Sequence, residues 1–320
     1  MHMIDAYLSV PVGASFWGIS GLAVGAAAHR FARDERQDQD PALVGVMAAF
    51  VFAAQMINVA IPGTGSSGHL AGSTLLAILL GPARAILCIA AVLLVQALFF
   101  YDGGIIAFGC NLFNMGLVGA LGGWTIYRLL AGGSSSYRRR LLGGGLAAWC
   151  AVVAGAAMVP LQVTLSGRAD LPFLPFLSGM VLIHMAIGIL EGGVTAAVIA
   201  FLLRNRPTLF FPPEKARVNS LALLTAGLGL VTLVLSGILY LFASALPDGL
   251  EFTLERFQGE SPPPPTGEGF HRFFTDLQES LSFLPDYQGR WAGVVGSLLL
   301  FAALGGGLWL RRALRRDPER

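Results

Sequence analysis

Apolar stretches long enough to cross a bilayer recur along this chain. Hydrocarbon offers no partner for main-chain N–H and C=O groups, so each stretch must satisfy them internally, as a helix does. About 20 residues cross the hydrocarbon. Nine segments are read, at 13–29, 42–60, 68–81, 83–100, 105–130, 141–165, 172–203, 221–245 and 292–310. The predicted class is an all-α polytopic membrane protein. Only 12% of residues are charged, against about 25% in a soluble domain. The 41 glycines among 320 residues suit close helix packing. The third segment is short and begins at His69, so its outer end is expected below the membrane surface. Pro172 and Pro175 predict a bent or interfacial start for the seventh.

Basic residues set the expected orientation. With the N-terminus outside, inner loops hold Arg30, Arg33, Arg36, Arg84, Arg128, Arg138 to Arg140, Arg204, Arg206, Lys215 and Arg217. The inner tail adds Arg311, Arg312, Arg315, Arg316 and Arg320. Outer loops keep only Arg168, Arg256, Arg272 and Arg290 of the 21 basic residues. The C-terminus is therefore expected in the cytoplasm, and Met1-His2 faces the same side as loop 62–69. The net charge of +2 reflects topology, and no nucleic-acid patch is read. No basic n-region of a cleavable signal peptide precedes the first span. Met1 is expected to be retained because His2 is large. Cys88, Cys110 and Cys150 fall within spans and are read as buried thiols.

Two parts are expected, 1–212 and 213–320, joined by a charged, Pro-rich linker. The second carries two spans around a long outer loop that opens Pro247-Asp248-Gly249-Leu250-Glu251. The loop's Pro-rich middle, 261–269, is expected to be flexible, with His271 in the same loop. Residues 270–284 are predicted as an amphipathic helix with Phe270, Phe273, Phe274, Leu277 and Leu281 on one face. It would lie on the membrane or on the first part. Eight acidic residues in the loop are read either as a solvated face or as a group that concentrates cations near the entrance.

A chain beginning Met-His offers three nitrogens in sequence: the amine, the His2 amide and the His2 imidazole. Amine and amide close a five-membered chelate ring, and amide and Nδ1 close a six-membered one. The three donors stay near one plane, and a fourth nitrogen completes the square that suits Ni(II), Cu(II) and some Co(II). Gly63-Thr64-Gly65-Ser66-Ser67-Gly68-His69 can supply it through His69. Gly63 to Gly68 has phosphate-loop spacing, but His69 and Leu70 stand where Lys and Ser/Thr are required. Inside the spans, Gln55 and Asn58 are expected on one face, Asn111 and Asn114 on another, and His184 and Glu191, two turns apart, on a third. They are read either as helix-packing hydrogen bonds or as an inner shell behind the metal loop.

Taken together, these residues resemble the CbiM/NikM substrate-capture subunits of energy-coupling-factor cobalt and nickel importers. The resemblance rests on Met1-His2-Met3-Ile4 with Tyr7-Leu8, and on Asn58-Val59 before Ser67-Gly68-His69-Leu70. It continues in Asn111-Leu112-Phe113-Asn114-Met115-Gly116 and in the run from His184 to Gly192. Residues 213–320 resemble the small accessory subunit found beside such proteins, marked by Pro-Asp-Gly-Leu-Glu at 247–251. The resemblance implies a seven-helix bundle with the N-terminal segment tucked in, plus two further transmembrane helices. It implies a square-planar Ni(II) or Co(II) site of the Met1 amine, the His2 amide and imidazole, and the His69 imidazole. Asn58, Ser67, Asn111, Asn114, His184 and Glu191 become supporting candidates. The expected role is a non-enzymatic capture subunit in the cell membrane, with the metal as transported substrate and no organic cofactor. Its partners would be a transmembrane coupling subunit and two cytoplasmic ATPase subunits. A metal-binding scaffold or sensor, or a capture subunit for an organic vitamin, remain alternatives. The fused part is expected to assist loading rather than to hold the metal.

Overall fold

The computed structural model describes residues 1–33, 41–205, 219–258, 269–288 and 291–306. The expected linker around 212/213, the Pro-rich middle of the outer loop and the basic tail at 311–320 lie outside these residues. Among the described residues the regular structure is helical apart from one small hairpin, and five stretches are long and apolar enough to span a membrane: Val10–Arg33, Pro82–Phe100, Tyr137–Ser166, Phe173–Asn205 and Thr225–Phe242. Of the other expected segments, Leu43–Gln55 and Ala292–Gly306 are shorter apolar helices, and Phe108–Ala131 is one helical stretch with a π-helical middle.

After a short 3-10 turn at Asp5–Tyr7, α1 runs Val10–Arg33 and α2 runs Pro41–Gln55. The second expected segment ends here. Beyond Gln55 the chain forms an antiparallel hairpin of β1 (Val59–Ile61) and β2 (Ser66–Gly68), with Val59 opposite Gly68. Apolar, β-branched residues such as Val59 and Ile61 continue the hydrophobic run yet fit a strand. Gly63 and Gly65, at φ of 77° and 79°, make the turn. Asn58 thus leaves the helix and shares no face with Gln55. The third expected segment shrinks to α3, Ser73–Leu80, so His69 lies ahead of the helix rather than at its first residue.

Then come α4 (Pro82–Phe100), α5 (Phe108–Asn111), a π-helical continuation (Leu112–Gly123), α6 (Trp124–Ala131), α7 (Tyr137–Ser166) and α8 (Phe173–Asn205). α7 and α8 pack along their lengths, with the Gly145 and Gly192 backbones in close approach. The second part comprises α9 (Asn219–Gly237), α10 (Gly249–Gln258), α11 (Gly269–Leu281) and α12 (Ala292–Leu300), which continues as a π-turn to Gly306. α12 lies against α2 and α9.

The expected amphipathic helix exists as α11, and it docks by its polar side. Gln278 Nε2 donates to the carbonyls of Ala97 (2.9 Å) and Gly103 (2.6 Å), and His271 Nε2 donates to Leu8 O at 2.9 Å. His271 is therefore a buried anchor, not a residue of a loose loop. Phe270 and Phe273 stay exposed. Cys88 and Cys110 are buried thiols as expected, whereas Cys150 is only half-buried.

Candidate metal centre

The N-terminal segment is threaded into the bundle by main-chain contacts. Asn111 grips Met3 from both sides: its Oδ1 accepts Met3 N at 2.8 Å and its Nδ2 donates to Met3 O at 3.0 Å. Asp5 Oδ1 accepts Ala107 N at 2.8 Å, Gly104 N donates to Met3 O at 2.9 Å, and Arg168 Nε donates to Ala6 O at 2.9 Å. Met1 and Met3 are buried. A buried charged terminus is costly unless paired, and here the amine has two neighbours.

The first is His69. Met1 N lies 3.4 Å from His69 Nε2. His69 Nδ1 is 3.1 Å from Leu70 O. A carbonyl only accepts, so Nδ1 carries the proton and Nε2 presents a lone pair to the amine. Two nitrogens at this separation can share one ion at metal–nitrogen distances of about 2 Å. The second neighbour is the Asp248 carboxylate, whose Oδ2 accepts from the amine.

The His2 ring stacks on the His69 ring, centroids 5.3 Å apart and 20° from parallel. His2 Nδ1 faces Asp102 Oδ1 at 3.1 Å, and its Nε2 is buried without a partner. Tyr287 donates its hydroxyl to Asp102 Oδ2 at 2.5 Å. Burial lowers the pKa of His2 to about 3 and that of His69 to about 4, with the positive amine adding to both shifts. Both imidazoles are therefore neutral at physiological pH, as ligands must be. Burial works to raise the Asp248 carboxyl, but the amine, His69 and the Glu251 amide together outweigh it and hold it below the usual carboxylate range.

Loop 66–72 is fixed by groups far away in sequence. Both oxygens of buried Glu191 accept main-chain amides, Ala71 N at 2.7 Å and Gly72 N at 2.9 Å. This holds the residues just after His69 and lets Gly72, at φ 74°, start α3. Ser67 N donates to Pro247 O at 2.7 Å, and Ser67 Oγ donates to Leu246 O at 2.7 Å. Ser67 therefore holds the second part against the His69 loop.

The Pro-Asp-Gly-Leu-Glu run is explained at Asp248, Gly249, Leu250 and Glu251 by their side chains or their lack of one, and Pro247 takes part through its main-chain carbonyl. Pro247 accepts from Ser67. Asp248 Oδ1 caps α10, accepting Leu250 N at 2.8 Å and Glu251 N at 2.9 Å. Glu251 closes the capping box by accepting Asp248 N at 3.0 Å. A Cβ on Gly249 would stand 2.8 Å from His184 Cε1, so only glycine lets the turn approach so closely. Leu250 is buried in the core. A cavity of about 10 Å³, room for about one ion or water, lies among Met1, His69, His184 and Asp248.

Of the expected site residues, Met1, His2 and His69 are brought together. Ser67, Asn111 and Glu191 hold the segments that carry them. Asn114 points elsewhere, exchanging two hydrogen bonds with Gln162 at 2.7 and 2.8 Å. The face expected to carry Asn111 and Asn114 together therefore divides, because the two serve different partners. His184 donates through Nδ1 to Met180 O at 2.8 Å and touches the cavity, with no bond to Glu191. Asn58 meets the second part instead, its carbonyl accepting Ser244 N at 2.7 Å. Asp5, Asp102, Asp248 and Tyr287 were not singled out as site residues from sequence. The only hint was Asp248's place in the five-residue motif.

The model of the cobalt uptake substrate-specific transmembrane region matches residues 2–209, and that of the PDGLE domain matches residues 222–313. The chain is 32% identical to the fused nickel transport protein NikMN of Rhodobacter capsulatus, over 99% of both chains. It is 32% identical to the cobalt transport protein CbiM of Sorangium cellulosum over 65% of this chain and 94% of that one. A crystal structure of a transition metal transporter superposes with a TM-score of 0.57 at 27% identity, covering 66% of this chain and 97% of the other.

Proposed function

This chain belongs to the CbiM family of cobalt uptake transmembrane proteins, and on that premise we propose that it captures Ni(II) or Co(II) through its own N-terminus. The family makes it a multi-pass membrane protein of metal transport. The finer reading is the substrate-capture subunit of an ATP-driven energy-coupling-factor importer. It works with a transmembrane coupling subunit and two cytoplasmic ATPase subunits, since the chain carries no ATPase motif. The N-terminus faces outside and the C-terminus the cytoplasm. Residues 1–212 form the capture part and 213–320 the accessory part.

The observation that carries this reading is the meeting of the Met1 amine and the His69 Nε2 lone pair at 3.4 Å, 68 residues apart in sequence. Among the described residues, no three His, Cys, Asp or Glu side chains are grouped to hold a metal. The proposed donors therefore include two main-chain nitrogens, the Met1 amine and the His2 amide, beside the His2 and His69 imidazoles. An ion closing the six-membered ring needs His2 Nδ1, so loading turns that imidazole away from Asp102. The small cavity favours an ion over an organic vitamin.

Isothermal titration of the purified protein with Ni(II) tests the reading. His69→Ala and His2→Ala are each expected to abolish stoichiometric binding while the helices stay folded. Wild-type affinity in either variant refutes the ligand set. A loaded protein that moves no metal in reconstituted vesicles, with coupling and ATPase subunits present, points to a scaffold or sensor instead.

A further inference from the structure

The second part of the chain reaches the proposed chelate through one carboxylate. Asp248 has two oxygens with separate duties. Oδ1 is occupied by the Leu250 and Glu251 amides as the cap of α10. Oδ2 has no part in that cap and accepts from the Met1 amine, 247 residues away in sequence. The turn that bears it is fixed by the Ser67–Pro247 hydrogen bond on one side and by Gly249 against His184 on the other. The carboxylate is thus carried on a rigid capped helix end and pressed against the same loop that carries His69.

We propose that Asp248 is the positioning residue of the chelating amine, so that the fused part completes the metal site without donating a ligand. The inference rests on the ligand set proposed above. A free N-terminus has three rotatable main-chain bonds, Met1 ψ and His2 φ and ψ, before the first rigid contact at Met3 N. A lone amine would sample many directions, and one hydrogen bond to a fixed oxygen selects among them. When an ion takes the amine's lone pair, the third proton leaves to solvent and two N–H bonds remain. One of them stays on Oδ2. Ligands of metal ions are commonly oriented by such an outer hydrogen bond, and losing it typically costs affinity. The carboxylate also offsets part of the ion's charge in a buried site. This gives the fused arrangement a chemical purpose: the nitrogens come from the first part, and the group that aims the leading nitrogen comes from the second.

Asp248→Asn separates the two duties. Asparagine caps a helix about as well as aspartate, so Oδ1 keeps its amides, and a fall in the melting temperature of the metal-free protein reads the lost pairing with the buried amine. Only the oxygen facing the amine becomes a donor. Titration of the full chain with Ni(II) is expected to show affinity lower by about 10- to 100-fold, with a shifted visible absorption band of the bound ion. Asp248→Glu, which keeps a carboxylate, is expected to recover part of the loss. Glu255→Gln removes an exposed negative charge from the same helix and is expected to change affinity by less than about twofold. Wild-type affinity and spectrum in Asp248→Asn overturn the proposal. So does an equal loss in Glu255→Gln, which makes the effect a diffuse acidic field. His69→Ala in the same assay separates the two readings. If it binds normally, the ligand set fails and this inference falls with it. If it is dead while Asp248→Asn is unchanged, only this inference fails.

Discussion

Residues 1–205 and the described residues of 219–306 meet at the N-terminus, and they bring different chemistry to it. The first part places nitrogens on buried, hydrogen-bonded main chain. The second brings oxygens, the Asp248 carboxylate on the amine and the Tyr287 hydroxyl on Asp102. Their membrane helices differ in the same direction. In α4, 61% of the spanning window is buried, against 12% in the Thr225–Phe242 stretch. The second part is held both by its apolar helices against α2 and by its short polar segments, α10, α11 and the turn at 285–287. A region can pack loosely in the bilayer and still be placed to within a hydrogen bond where the chemistry occurs.

The strongest way to break this comparison leaves every side chain in place. Adding several glycines before Met1 turns the amine into an amide nitrogen and removes the leading donor, whereas a single added residue would build a new amine–amide–amide–imidazole chelate at His2. If the first part owns the ligands, Ni(II) affinity is expected to fall by more than about a thousandfold, the scale of losing a chelating donor together with its charge pairing. An equally long tag at the C-terminus is expected to have no such effect. Titration of the two tagged proteins decides it, and retained binding in the extended chain returns the site to side chains alone.

Next in size is the carboxylate behind His69. Glu191→Ala leaves the Ala71 and Gly72 amides buried without an acceptor. The expected cost is about 2–4 kcal/mol of stability, with metal affinity down by about tenfold or more as His69 loses its fixed place. Thermal unfolding in detergent and titration read the two losses separately. A stable variant with normal affinity would mean that Ser67 and the second part suffice to hold the loop.

The pH dependence of the metal-free protein comes third. His2 and His69 have folded pKa values lowered to about 3 and about 4, against 6.5 for the free side chain. Below pH 6.5 the unfolded chain takes up protons that the folded chain refuses, so stability falls as pH drops towards those folded values. The slope approaches about 1.4 kcal/mol per pH unit for each histidine. Melting curves between pH 7 and 5 are expected to show it, and His2→Gln is expected to flatten it by about one histidine's share. Metal affinity falls in acid for a different reason, because the amine and the amide must each lose a proton to bind.

Part of the proposed donor set has a covalent logic that sequence carries, since Met1 and His2 are adjacent and ring closure follows from bond counting, and the structure brings His69 to the same amine. Helical membrane character was legible because desolvated backbone leaves few alternatives. The hairpin at Val59–Gly68 was not, since a short apolar run reads equally as helix or strand. Asp248 on the amine and Tyr287 on Asp102 are contacts between residues 247 and 185 apart in sequence, and no local pattern encodes such pairings. The five-residue motif was visible as letters. Its meaning, a capping box whose spare oxygen faces the terminus, needed the coordinates.

The smallest expected effect on the metal separates two residues that sequence placed on one face. Asn111 and Asn114 are three apart, yet Asn111 clamps the Met3 main chain and Asn114 exchanges hydrogen bonds with Gln162 on α7. Asn111→Ala frees the segment that leads to the chelate, and Ni(II) affinity is expected to fall by about tenfold, the lower end for a lost outer contact. Asn114→Ala orphans the Gln162 amide in the bundle interior and is expected to cost about 1–3 kcal/mol of stability. The metal spectrum should not change, because no hydrogen bond runs from that pair to Met1, His2 or His69. Parallel titration and melting of the two variants make the contrast. If Asn114→Ala shifts the spectrum as Asn111→Ala does, the two asparagines belong to one polar interior after all. The division between residues that hold the chelate and residues that hold the bundle would then have to be withdrawn.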